Sequence, residues 1–264
     1  MKFRMRLPWS TVRASTAGIT MLASESLPSL ITFDCTGTLF EPTESIGALY
    51  KRATVAEAWK AGLASAVVAE ALSEEELCTA FRPAYAAADR SRPCFGADRY
   101  SSENCSSESW WRDVVADTIT TAAQNSKGCA PVSELEAILP QVFYVLYHET
   151  FQSRSAFRLT AHAADVLSAL GEWRASRSPS EPALVLGVIS NWDERLPLLL
   201  KRLGVQQTMF DFVLTSHELG IEKPDARIFE KARELAGASA GIEPTSCRVP
   251  VVSWLLPCLA ECMV

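Results

Sequence analysis

Asp34 follows the apolar run Ser29-Leu30-Ile31-Thr32-Phe33 and opens Asp34-Cys35-Thr36-Gly37-Thr38-Leu39-Phe40. A short run of strand formers ending in a Gly-containing turn reads as a buried strand, which puts the carboxylate at the strand's C-terminal edge. Two further features fall at strand ends in the same reading. Ser190-Asn191 comes directly after Val188-Ile189, and Lys223-Pro224-Asp225 comes some residues after a strand ending near Thr215. Together they suit attack by a carboxylate on an electrophile. Asp34 would be the nucleophile, hydroxyl and amide groups would surround the attacked centre, and a lysine would neutralise negative charge. A single Asp at a strand end is more simply a turn or helix-capping residue, so the weight rests on the three features together.

The elements that must position these residues alternate. After the first strand, residues from about 45 to 151 turn helical in period, with apolar positions in Val55 to Trp59, Leu72 to Phe81, Trp110 to Ile119 and Leu135 to Tyr147, and a loop from Asp89 to Ser109. Alternation then resumes with a helix around Thr160 to Trp173, the run Ala183 to Ile189, a helix near Glu194 to Leu203, the strand Phe210 to Thr215 and a helix from Ala226 to Leu235. Strands alternating with helices predict a parallel, doubly wound α/β sheet, whose ligands bind beyond the carboxyl ends of the strands. The expected division is a leader over 1–27, a core built from 28–44 and 152–264, and a helical insert over 45–151.

At 264 residues, 48% hydrophobic and 21% charged, the chain has the composition of one globular domain carrying an insertion, not of a disordered or collagen-like chain. Its net charge of −6 argues against nucleic acid as a partner. Cysteines at 35, 78, 94, 105, 129, 247, 258 and 262 form no CxxC pair, and that excludes a zinc ribbon or disulfide framework. His148, His162 and His217 stand in no catalytic spacing, and Arg82, Arg90 and Arg112 read as solvated. Lys2, Arg4, Arg6 and Arg13 precede the first acid, Glu25, so the N-terminus reads as an unstructured or organelle-targeting leader, with cytoplasm or mitochondrion as the expected location. The apolar end from Val249 to Val264 contains Pro250, Pro257 and Glu261 and is shorter than the roughly 20 residues of a spanning helix, so no membrane partner is expected.

The three motifs resemble the haloacid dehalogenase (HAD) superfamily, and within it the haloacid-dehalogenase-like hydrolase domain-containing proteins, over roughly residues 28 to 245. The resemblance rests on Ile31 to Leu39, on Val188-Ile189-Ser190-Asn191-Trp192-Asp193, and on Phe210 to Ser216 with Gly220-Ile221-Glu222-Lys223-Pro224-Asp225. Ser109-Trp110-Trp111-Arg112-Asp113 also looks like that subgroup, although aromatic packing inside the insert explains it as simply. The resemblance implies a Rossmann-like core under a helical cap that excludes water. It implies that Asp34 forms an aspartyl phosphate, that Thr38, Ser190 and Asn191 contact the phosphoryl group, and that Lys223 holds both nucleophile and phosphate. It also implies Mg²⁺ on Asp34 and the Thr36 backbone carbonyl.

Two departures accompany the resemblance. Phosphatases of the family carry an acid two residues after the nucleophile, where this chain has Thr36, and threonine cannot donate or accept a proton there near neutral pH. The family's fourth motif supplies carboxylates for Mg²⁺, yet Val251-Val252 stand where Gly-Asp is expected and the fourth-motif acid is absent. The chain after Cys247 reads as a replaced C-terminal end, which would leave a sheet edge incomplete. Three functions follow as alternatives. The first is a weak or inactive phosphohydrolase of a small phosphorylated molecule, and the second a HAD-fold protein that binds such a ligand or a partner without turnover. The third is a carbon-halogen hydrolase, which needs neither the second acid nor metal.

Overall fold

The computed structural model describes residues 29–62, 72–97, 107–126, 132–179, 181, 183–206, 208–240 and 251–252. The basic leader and the tail beyond Val252 lie outside the described residues.

Four strands form one parallel sheet: β1 (Leu30–Phe33), β4 (Val185–Ser190), β5 (Phe212–Thr215) and β6 (Val251–Val252), in the order β5-β4-β1-β6. β4 is buried at all six positions and β1 at three of four, the pattern of strands covered on both faces. β1 runs in register with β4, Phe33 opposite Val188, and β4 with β5, Ser190 opposite Thr215. The strand ends carrying Asp34 and Ser190 are thereby brought to one edge. β6 pairs with the other side of β1, placing Val252 opposite Phe33, so the segment after Cys247 contributes a short strand beside the one that leads to Asp34.

A second, antiparallel pair links β2 (Phe40–Pro42) to β3 (Phe157–Leu159). Between these two strands the chain makes α1 (Ile46–Lys60), α2 (Glu74–Ser91), α3 (Pro93–Gly96), α4 (Ser107–Asn125) and α5 (Val132–Tyr144), which continues into a π-helical turn at Val145–Thr150. These helices enclose their own core around Trp110, Phe81, Val114, Ile119 and Leu146, separate from the core under the sheet around Phe33, Leu186 and Leu196. Each set of helices therefore buries an apolar face without needing the other. The neck is aromatic: Phe40, Phe157 and Trp192 pack with centroids 5.2 to 5.6 Å apart.

Local signals explain the helix ends. Ser45 caps α1 by accepting from Ala48 N, and Ser73 with Glu76 forms a reciprocal capping box on α2. Against the expectation of a helix fading near Phe81 and a loop from Asp89, α2 runs on through Pro83 to Ser91. An internal proline forfeits one backbone hydrogen bond, and burial of Leu77, Ala80, Phe81 and Ala84 along one stripe outweighs it. α3 is no ordinary helix, because Cys94 and Phe95 both take positive φ, 54° and 58°. After the neck come α6 (Ala163–Ser176), α7 (Leu196–Leu203), α8 (Ser216–Leu219) and α9 (Ala226–Ala240). α7 buries Leu196, Leu199, Leu200 and Leu203, the i, i+3, i+4, i+7 stripe of a helix on a sheet, and stops at Gly204, whose φ of 98° suits glycine. α9 runs five residues beyond its expected end.

Candidate active site

At the sheet's carboxyl edge the side chain of Asp34 is partly buried and its Oδ1 collects three donors. Cys35 N lies at 2.7 Å, Ser190 Oγ at 3.1 Å and Lys223 Nζ at 2.8 Å. Among the described residues none donates to Oδ2. Lys223 Nζ also donates to Ile189 O at 3.0 Å, so two of its three N–H groups are used and one is left for a ligand. Its position is fixed by Asn191, whose side-chain amide donates to Lys223 O at 3.0 Å while its carbonyl accepts from Lys223 N at 2.7 Å. Asn191, expected beside the attacked centre, thus acts on the lysine's backbone instead.

The loop after Asp34 is wound tightly. Thr38, Leu39 and Phe40 all donate backbone N–H to Cys35 O, and Gly37 donates to Phe40 O at a φ of 75°. Thr38 is buried and its carbonyl accepts from Thr160 Oγ1 at 2.8 Å, tying the loop to the start of α6. Cys35, next to Asp34, is fully buried. Burial, reinforced by the charge of Asp34, pushes its thiol far up from the ordinary range, so no thiolate forms.

Among the described residues no three His, Cys, Asp or Glu side chains gather where an ion could be held. Lys223 already supplies a cation to Asp34 Oδ1, and the strand on the far side of β1 ends in Val251-Val252. Magnesium requires near-octahedral oxygen ligands, usually with more than one carboxylate or phosphate, and the described residues do not fit it.

Sequence reasoning missed the loop that follows Asn191. Asp193 is 1% exposed and pairs with Arg195 through Nη2 to Oδ2 at 2.6 Å and Nε to Oδ1 at 2.9 Å. Trp111 Nε1, on α4, donates to the same Asp193 Oδ2 at 2.8 Å. Arg195 Nη1 donates to Tyr147 O at 2.9 Å and its guanidinium lies 3.8 Å from the Tyr147 ring centroid. Glu194 accepts from Tyr147 Oη at 2.8 Å and from Ser107 Oγ, and its other oxygen meets His217 Nδ1 at 3.2 Å. The acid and base spaced two apart after a strand were the available signal, but partners 23 to 87 residues away are invisible in sequence. Of the two tryptophans, Trp110 is fully buried packing while Trp111 links the helices to the sheet.

Between the helices and the neck lies a cavity of about 340 Å³, which Thr36 and Arg195 line together with Tyr50, Phe81, Phe95 and Trp111. Thr36, two residues after Asp34, is part of its lining.

This arrangement of sheet, strand-end carboxylate and lysine agrees with a family match: the model of the haloacid dehalogenase-like hydrolases matches residues 28–247, and the chain belongs to that family. Its relatives include the mouse haloacid dehalogenase-like hydrolase domain-containing protein 3, 34% identical over 207 residues, covering 78% of this chain and 68% of the mouse protein. The human protein of that name is 36% identical over 157 residues, 59% of this chain and 53% of the relative. The Drosophila melanogaster rhythmically expressed gene 2 protein is 28% identical over 218 residues, 83% and 73% of the two chains. Among solved structures, the L-2-haloacid dehalogenase from Xanthobacter autotrophicus is similar at 17% identity and a TM-score of 0.44, covering 85% of this chain and 69% of that one. Among the described residues no helix is long and apolar enough to cross a membrane.

Proposed function

We propose that this hydrolase acts on small phosphate monoesters through an aspartyl phosphate on Asp34, with slow turnover. The observation that carries the reading is the convergence of Lys223 Nζ and Ser190 Oγ on Asp34 Oδ1, which fixes one carboxylate oxygen and leaves Oδ2 to attack. Oδ2 forms a bond to phosphorus as the ester P–O bond breaks, and the electron pair departs on the alcohol oxygen. A carboxylate and a phosphate dianion repel, so the remaining N–H of Lys223 serves the phosphoryl oxygens as charge redistributes, while the single proton of the Ser190 hydroxyl goes to Asp34 Oδ1 and holds the carboxylate in place. Water then attacks phosphorus, returning the Asp34 carboxylate and inorganic phosphate.

Thr36 limits both steps. It neither protonates the departing oxygen nor deprotonates the attacking water, and loss of such help costs about 10²–10⁴-fold. The phosphoenzyme is therefore long-lived. No step here is routed through magnesium. The second reading, binding of a phosphorylated ligand without turnover, draws on the same threonine and on the valines of β6. Release of nitrophenol from p-nitrophenyl phosphate by the parent and not by Asp34→Asn supports the first reading; phosphate-ester binding with no release supports the second, and halide release from a haloacid contradicts both.

A further inference from the structure

The cavity beside Thr36 has a lining that discriminates between classes of alcohol. Its walls are Tyr50, Phe81, Phe95, Trp111, Phe151 and Trp192, four of them at least nine-tenths buried and the other two, Trp111 and Phe151, packed against the helical core. Its charged members are spent on one another or on close neighbours: Asp193 on Arg195, Glu41 on Arg158, and Glu44 on Arg52. A sugar or polyol would bring several hydroxyls into a place with few groups to receive them, and each unpaired one is costly. Among the described residues one fully buried polar atom of the lining is unpaired. The hydroxyl of Tyr50, in a side chain that is fully buried, has no hydrogen-bond partner among the described residues. Buried polar atoms are almost always paired, so an orphan in a cavity wall points to a ligand group.

Chemistry at the other end selects in the same direction. With Thr36 in place of an acid, the departing oxygen must leave unprotonated, and a phenol, with a pKa of about 10, bears that charge far better than an aliphatic alcohol. We propose that the cavity holds the alcohol portion of an aryl phosphate ester, a body of one or two rings carrying a single hydrogen-bonding substituent that meets Tyr50. A volume of about 340 Å³ lies at the lower end of small-molecule sites and suits such a body. This ligand class rests on the phosphotransfer reading only for its phosphate; the cavity's preference for its ring does not.

The test separates the two. Calorimetric titration of the full chain with naphthol, naphthalene and glycerol reads the cavity without any turnover. Naphthol binds and glycerol does not; Tyr50→Phe weakens naphthol about fivefold and leaves naphthalene unchanged, as loss of one hydrogen bond requires. Val115→Trp, which fills the cavity, removes binding of both aromatics. Should that variant fail to fold, Tyr50→Phe, which deletes only the hydroxyl, still decides. Naphthol binding no tighter than glycerol, or untouched by Tyr50→Phe, overturns the assignment. Tyr50-dependent naphthol binding without hydrolysis of a hydroxynaphthyl phosphate, which keeps one free hydroxyl for Tyr50, supports the cavity's ligand class and sinks the phosphotransfer reading instead.

Discussion

Replacing Asp193 by alanine strips Arg195 of its counter-ion in a place where solvent cannot take over. The carboxylate is 1% and the guanidinium 10% exposed, and two charge-assisted bonds of 2.6 and 2.9 Å join them. Breaking such a pair from one side costs about 3–5 kcal/mol, because the partner remains charged and buried. The same change orphans Trp111 Nε1, a further ~1 kcal/mol. Arg195→Met leaves Asp193 with only Trp111 Nε1 and the residue-195 backbone N–H, and costs about 3 kcal/mol by the same argument. The double variant removes both charges together, so its cost falls short of the sum of the singles by about 2–3 kcal/mol. Urea unfolding followed by tryptophan fluorescence measures all three. A loss below about 1 kcal/mol for Asp193→Ala, or strict additivity in the double variant, refutes the view that this pair holds the helices to the sheet.

Three other outcomes follow. Gly47→Ala puts a Cβ 2.0 Å from the Glu74 carbonyl oxygen, where backbone must yield, so it lowers stability by about 1–3 kcal/mol despite alanine's better helix propensity; thermal melting checks this. Hydrogen bonds from Ser126 and Ser73 hold the Glu76 carboxyl below its ordinary range, so it contributes stability above the unfolded carboxylate's pKa that is lost as pH falls through the folded value. Acid titration should accordingly destabilise the parent more steeply than Glu76→Gln. Lys223→Met removes the cation at Asp34 and lowers p-nitrophenyl phosphate turnover by about 10²–10³-fold with little change in the melting temperature.

The central strands were readable because buried parallel strands such as Val185–Ser190 are continuous apolar runs, and their ends announce Asp34 and Ser190 by strand-to-turn transitions, whereas Lys223 lies beyond a further short helix after β5. Element bounds were less legible. Pro83 suggests a break to anyone reading locally, whereas the buried stripe that carries α2 past it depends on helices far away in sequence. Asn191 illustrates the limit at the site: its place after Ser190 is plain, but its two bonds to the Lys223 backbone require a partner 32 residues on. Tyr50 carried no motif and Arg195 only an acid two residues before it, since what distinguishes them is an unpaired hydroxyl and a buried counter-ion, both properties of packing.

The central claim is that the Asp34 carboxylate attacks phosphorus. Intact-mass measurement of the full chain, acid-quenched at intervals after mixing with p-nitrophenyl phosphate in magnesium-free buffer, reads it directly beside Asp34→Asn. The account predicts that one phosphoryl group accumulates on the parent, decays slowly as nitrophenol is released, and is missing from the variant. Nitrophenol release without the adduct, the same adduct on Asp34→Asn, or a parent that neither releases nitrophenol nor gains mass would contradict it.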